Sequence, residues 1–180
     1  MSPDAAFEAF VRRFQDMVFA TAVRLLGNPA EAEDIAQTVF LRAFERFDTI
    51  GDSPAAAGWL KAVTRHACLN HLGRYRKRWR LFSEMERTGD ESDTPYEATL
   101  LSPDSPAATL ERERQEQELE QALRRLPDHQ RVPLVLFHFD DMSYQDIATL
   151  LGVSLGKVKT DIHRGREALR KHLAGTDASR

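Results

Sequence analysis

The sequence predicts an all-α protein of two small helical domains, an N-terminal helical bundle and a C-terminal helix-turn-helix domain, joined by an acidic, proline-containing linker. Three observations carry this. Apolar residues recur every three or four positions through most of the first 80 residues and again through roughly the last 65, which is the period of a helix with one buried face. No strand-like alternation of any length appears. The pattern breaks once, in ERTGDESDTPYEATLLSPDSPAA, where Gly89, Pro95, Pro103 and Pro106 stand among Ser, Thr, Asp and Glu, a composition too polar and too interrupted to pack. The expected division is a bundle over 1–80, a linker over 81–110, a helix-turn-helix domain over 111–174 and a tail over 175–180.

The first helix is expected where Phe7, Phe10, Val11, Phe14, Met17, Val18, Ala22, Leu25 and Leu26 form one apolar stripe, with Gly27 as its terminator. Asn28, Pro29 and Glu31 supply a cap, a first-turn proline and a capping-box-like acid for a second helix to about Phe47. Ser53 and Pro54 repeat that start signal before a third helical segment running towards Arg80. Beyond the linker, helical pattern returns at LERERQEQELEQALRRL, Pro127 punctuates it, and the apolar run VPLVLFHF follows.

The last stretch, MSYQDIATLLGVSLGKVKTDIHRGREAL, reads as two helices around a tight turn. Gly152 can take the left-handed conformation that ends a helix, and Ser154 can cap the amides that open the next. On a helical wheel Val158, Ile162 and Leu169 face inward, while Lys157, Thr160, Arg164 and Lys171 face outward with His163 at their flank. A basic and hydroxylic face suits a helix that enters a major groove. Asp161 is the exception on that helix, and its spacing from Lys157 and Arg164 predicts pairing with one of them.

A chain of 180 residues with 42% hydrophobic content is long enough and apolar enough for compact cores. No long apolar run and no signal-peptide pattern at MSPDAAFEAF point to membrane insertion or export, and the single cysteine, Cys68, excludes an intramolecular disulfide. The expected location is the cytoplasm. The formal net charge of −3 hides strong segregation: residues 58–80 hold seven basic side chains and no acid, while residues 81–122 hold twelve acids against three bases. Two basic blocks therefore flank an acidic connector.

The first basic block, GWLKAVTRHACLNHLGRYRKRWR, sets Trp59, Tyr75 and Trp79 among Lys61, Arg65, Arg74, Arg76, Lys77, Arg78 and Arg80. Cations neutralise phosphates and aromatic faces stack exposed bases, a combination suited to single-stranded or opened DNA. His66, Cys68 and His71 do not make a metal site, because residues two apart on a helix point about 200° from one another and two ligands do not complete one. No cofactor is expected. The chain also has no P-loop, GxSxG or HExxH motif, so it is not expected to be an enzyme.

Three segments, AEDIAQTVFLRAFERF, WLKAVTRHACLNHLGRYRKR and SYQDIATLLGVSLGKVKTDIHRGREALR, stand in the order and spacing of bacterial RNA polymerase sigma factors. The chain resembles the compact extracytoplasmic-function (ECF, group IV) type over about residues 7–80 and 113–173. That resemblance implies a transcription initiation factor that binds core RNA polymerase, directs it to promoters and assists their melting, with a region 2-like bundle and a region 4-like helix-turn-helix domain.

It further implies that Asp34, Gln37, Phe40 and Phe44 dock on the clamp helices of the polymerase largest subunit. Trp59, Arg65, His66, Asn70, Arg74, Arg76 and Lys77 correspond to the minus-10 binding segment. Lys157, Lys159, Thr160, His163 and Arg164 correspond to the minus-35 reader. His66 and Asn70 stand where relatives often have Asn and Asp, and Asp161 where a basic residue is common, so the resemblance does not carry over a base preference at either element. Two tethered modules with exposed sites are also open to joint occlusion by an anti-sigma factor. The alternative is a free-standing helix-turn-helix regulator that binds an operator without polymerase; it has no use for a second basic block or an Asp34/Gln37/Phe40 surface.

Overall fold

The computed structural model describes residues 3–73 and 106–177. Among them run eight helices: α1 (Pro3–Leu26), α2 (Pro29–Glu45), α3 (Phe47–Ile50), α4 (Ala56–His71), α5 (Pro106–Arg125), α6 (Asp128–His138), α7 (Tyr144–Leu151) and α8 (Leu155–Asp177). Among the described residues there is no strand. None of the described helices is long and apolar enough to cross a membrane.

In the first domain α1 packs against α2 and α4, and these two pack on each other. Phe10, Phe14, Val18, Leu25, Val39 and Leu60 are buried between them. The start and stop signals are where the sequence puts them, with two adjustments. Asn28 caps α2 by accepting from the amides of Ala30 and Glu31 at 3.0 and 3.3 Å. The helix expected to reach Phe47 ends at Glu45, and a separate turn, α3, follows. The cap expected at Ser53 lies two residues later, at Ala55, whose amide Ser53 Oγ accepts at 3.2 Å. Ser53 therefore organises the turn before α4 rather than capping the helix.

The second domain is built on α6, which packs on α7 and α8. Val132, Leu134, Leu136, Ile147, Val158 and Ile162 form its interior. Pro133 lies inside α6, in its second turn, where the missing amide forgoes one intrahelical hydrogen bond. Helix α5 begins at Pro106, so residues 106–110 of the expected linker are already helical.

The two domains are joined by contacts the sequence did not announce. Helix α1 packs on both α5 and α6, and Arg131 crosses from α6 to the C-terminal end of α1. Its guanidinium, on a residue only 3% exposed, donates to the carbonyls of Leu25 (3.3 Å), Leu26 (2.9 Å) and Leu126 (2.7 Å) and pairs with Asp128. The last carbonyls of a helix lack intrahelical partners and carry its negative dipole end. A cation placed there satisfies both. Gly27 takes φ +66°, and a Cβ at this position would lie 2.7 Å from the Arg131 guanidinium.

Candidate functional site

Three surfaces carry the candidate residues. The first is an open groove of about 860 Å³ between α1 and α2. Its apolar lining comes from Phe7, Val11 and Phe19 on α1 and from Phe40, Leu41 and Phe44 on α2. Helical periodicity explains why α2 can build it: Ala32, Ile35, Val39 and Ala43 take the buried side, which turns the next residues round the helix outward. Leu41 is 68% exposed and Phe44 is 55% exposed. Phe44 sets its ring edge-on to Phe7 at 4.9 Å between centroids. Phe40 is half-buried, packed against the core as well as lining the groove.

Gln37 lines the groove and Asp34 stands exposed on the same helix. Asp16 and Glu33 add acid to the lining. An apolar channel with an acidic margin fits a helical partner that offers aliphatic side chains flanked by basic ones. The α1 side of this groove was missed by sequence reasoning. Phe7 and Val11 belong to the same apolar stripe as the core residues of α1, and nothing in that spacing separates groove from core.

The second surface is α4. His66 and Asn70 are exposed. Trp59 is half-buried and packs on the bundle core, so its ring is part of the scaffold as much as of the surface. Arg65 is paired with Asp140 of the second domain at 3.2 Å; the arginine side chain is 27% exposed and the aspartate 7%. Arg74, Arg76 and Lys77, with Tyr75 and Trp79, lie outside the described residues. On the other side of α4 Thr64 is fully buried, its hydroxyl donating to the Leu60 carbonyl at 2.7 Å. Cys68 is also buried, and its thiol pKa is pushed up to about 12, by burial first and by the nearby charge of Asp140 second. His71 faces Glu31 at 3.4 Å. Among the described residues no three His, Cys, Asp or Glu side chains are grouped to hold a metal.

The third surface is α8, presented by the turn after α7. Ser143 caps α7 by accepting from the Asp146 amide at 3.1 Å, a cap the sequence reading overlooked. Gly152 closes α7 with φ 67° and ψ 39°, in the left-handed region. Ser154 Oγ accepts from the Lys157 amide at 3.2 Å and opens α8. Lys159 is exposed, and Thr160, His163 and Arg164 are half-buried. His163 faces Glu167 at 3.5 Å.

Lys157 departs from the wheel. Its ammonium lies 2.8 Å from Asp161, with the two side chains only 7% and 5% exposed. The pairing follows the expected spacing, but the expected outward position does not. The stem of Lys157 and the short Asp161 side chain fold onto the protein, so this pair fixes the helix start rather than offering a free cation to the groove.

Apart from Phe7, the residues of these surfaces fall within two matched family models. Sigma-70 region 2 matches residues 10–80, and Sigma-70 region 4 matches residues 116–169. The chain is 33% identical to the ECF RNA polymerase sigma factor SigW of Bacillus subtilis, over 93% of this chain and 89% of that protein. The chain belongs to the ECF RNA polymerase sigma factors. It is similarly 32% identical to the RNA polymerase sigma-E factor of Streptomyces coelicolor, over 95% and 88% of the two chains, and 33% identical to SigL of Mycobacterium tuberculosis, over 94% and 92%. As a sigma factor it is a transcription initiation factor and not an enzyme. Its region 2 match contains α4 and the groove except Phe7, and its region 4 match contains α7 and most of α8.

Proposed function

We propose that the α1/α2 groove is the surface through which this sigma factor holds core RNA polymerase, with the clamp helices of the largest subunit as the occupant. Asp34, Gln37, Phe40 and Phe44 contact it from α2, and Phe7 and Val11 complete the apolar floor from α1. The observation that carries this is the exposure of Phe44 and Leu41 beside acids in an open groove. A large ring left half in water has a low cost to bury and a clear gain once covered.

The two DNA roles divide between the domains. Exposed His66 and Asn70, with Arg65 and Trp59 and the basic run Arg74, Arg76 and Lys77, receive the opened minus-10 element. Lys159, Thr160, His163 and Arg164 face the minus-35 major groove, while Lys157 positions that face through Asp161. Polymerase and promoter DNA are its partners, and the cytoplasm is where it meets them. Mobility shift with and without core polymerase tests the reading: weak promoter binding by the chain alone and strong binding with core enzyme is expected, because the acidic connector and net negative charge oppose a polyanion. Tight, sequence-selective binding by the isolated chain would instead make it a free-standing regulator.

A further inference from the structure

We propose that Leu155 is a specificity-determining residue of the DNA-reading helix, and that its side chain contacts the C5-methyl group of one thymine in the minus-35 element. The inference rests on the placement of α8 in the major groove proposed above, and adds an apolar reader to the polar set of Lys159, Thr160, His163 and Arg164.

In a helix-turn-helix the residues that open the second helix reach the base edges. The first turn of α8 is Leu155 to Val158, and its backbone is firmly set. Gly152 closes α7 in the left-handed region, Ser154 Oγ accepts from the Lys157 amide at 3.2 Å, and the Ser154 carbonyl accepts from the Val158 amide at 3.2 Å. Little in this turn can reach outward. Gly156 has no side chain, and a Cβ placed on it would stand in open space. The Lys157 ammonium is drawn down to Asp161, leaving its side chain 7% exposed. Val158 is 1% exposed, inside the domain. Leu155, 38% exposed, is the side chain this turn offers to a base.

An isobutyl group neither donates nor accepts a hydrogen bond, so the N7, O6, O4 and amino groups of the major groove give it nothing to pair with. The apolar feature on that edge is the thymine methyl. Over a cytosine the same side chain would cover an amino donor without replacing its water partner, which is unfavourable. The surroundings support the contact. Bare Gly156 lets the start of α8 come close to the bases, and with the Lys157 ammonium held back no cation of this turn competes for the same edge. Leu41 and Phe44 belong to the α1/α2 groove and Leu110 stands on α5. Among the described residues Leu155 is therefore the one exposed large apolar side chain of the helix-turn-helix.

The test uses the full chain with core polymerase and a promoter fragment recovered by run-off transcription. Each minus-35 thymine is replaced in turn by deoxyuridine, which removes the methyl and keeps every hydrogen-bonding group. Wild type should lose affinity about fourfold at one thymine, the effect of one methyl no longer buried. Leu155→Ala should bind the thymine and uracil forms equally, with a denaturation midpoint close to that of wild type. With cytosine at that position, C5-methylation should strengthen wild-type binding and leave the variant unmoved. A wild type indifferent to every minus-35 methyl overturns the proposal, as does a methyl effect that persists in Leu155→Ala. A midpoint lowered as for a core leucine would make Leu155 a packing residue and overturn it too. Lys159→Ala separates this outcome from the reading beneath it. Binding that ignores both Lys159→Ala and every minus-35 base overturns the placement of α8 itself, whereas dependence on Lys159 without any methyl effect overturns the role of Leu155 alone.

Discussion

Asp161→Ala is the substitution for which sequence and structure give opposite expectations. Read as a surface acid on a DNA-facing helix, Asp161 should repel phosphates, and its loss should tighten binding to every promoter. The structure buries it: its carboxylate lies 2.8 Å from Lys157, with side-chain exposures of 5% and 7%. Removing one member of such a pair leaves a cation in a poorly solvated place, at a cost of about 3 to 5 kcal/mol. Set against a typical domain stability of about 5 to 15 kcal/mol, that would leave the helix-turn-helix domain marginal and its DNA affinity reduced. Urea denaturation followed by circular dichroism gives the cost, and the double substitution Lys157→Met with Asp161→Leu controls for the charge. An apolar replacement of a buried pair is often neutral or stabilising, so the double variant should recover most of the loss. A cost below about 1 kcal/mol for Asp161→Ala, the range of solvated pairs, would refute the burial argument. Tighter binding with unchanged stability would restore the surface reading.

Other substitutions address the remaining surfaces. Phe44→Ala should weaken core polymerase association in a pull-down while leaving the denaturation midpoint nearly unchanged, because the ring is 55% exposed; a buried phenylalanine would cost about 3 to 5 kcal/mol. Gly27→Ala should destabilise the chain by roughly 1 to 3 kcal/mol, since φ +66° strains an L-residue and its Cβ meets Arg131 at 2.7 Å; calorimetry should show it. The Cys68 thiol, with its pKa raised from 9.0 to about 12, should resist alkylation in the folded protein at pH 8. Its folded pKa lies above its unfolded value, so its stabilisation is complete below pH 9 and is lost as pH rises towards 12, by about 1.4 kcal/mol per unit. Wild type should therefore lose stability faster than Cys68→Ala over that window, and parallel curves would count against the buried thiol.

Local features were legible because their causes are local. Gly27 and Gly152 end helices, Asn28 and Ser154 cap them, and the apolar period places Val39 and Ile162 inside; each needs only neighbours within one or two turns. What was not legible depends on residues far apart in sequence. Arg131 sits in the apolar run RVPLVLF, an anomalous cation that could have been noticed, but two of its acceptors, the carbonyls of Leu25 and Leu26, lie more than a hundred residues away. Phe7 and Val11 share the spacing of core residues and line a groove because, among the described residues, no helix covers that side of α1. Lys157 was placed outward by its angle on the wheel, which ignores how far a lysine stem can bend to meet an acid one turn away. The domain contacts had no periodic signature at all.

The central claim, that the chain delivers core polymerase to promoters, is tested most directly by run-off transcription on genomic fragments with purified core enzyme. Adding the wild-type chain should yield discrete transcripts from a limited set of fragments, absent with core enzyme alone and strongly reduced with the Gln37→Ala, Phe44→Ala variant. Fragments bound tightly by the chain alone, with no transcript from any of them in the presence of core enzyme, would contradict it.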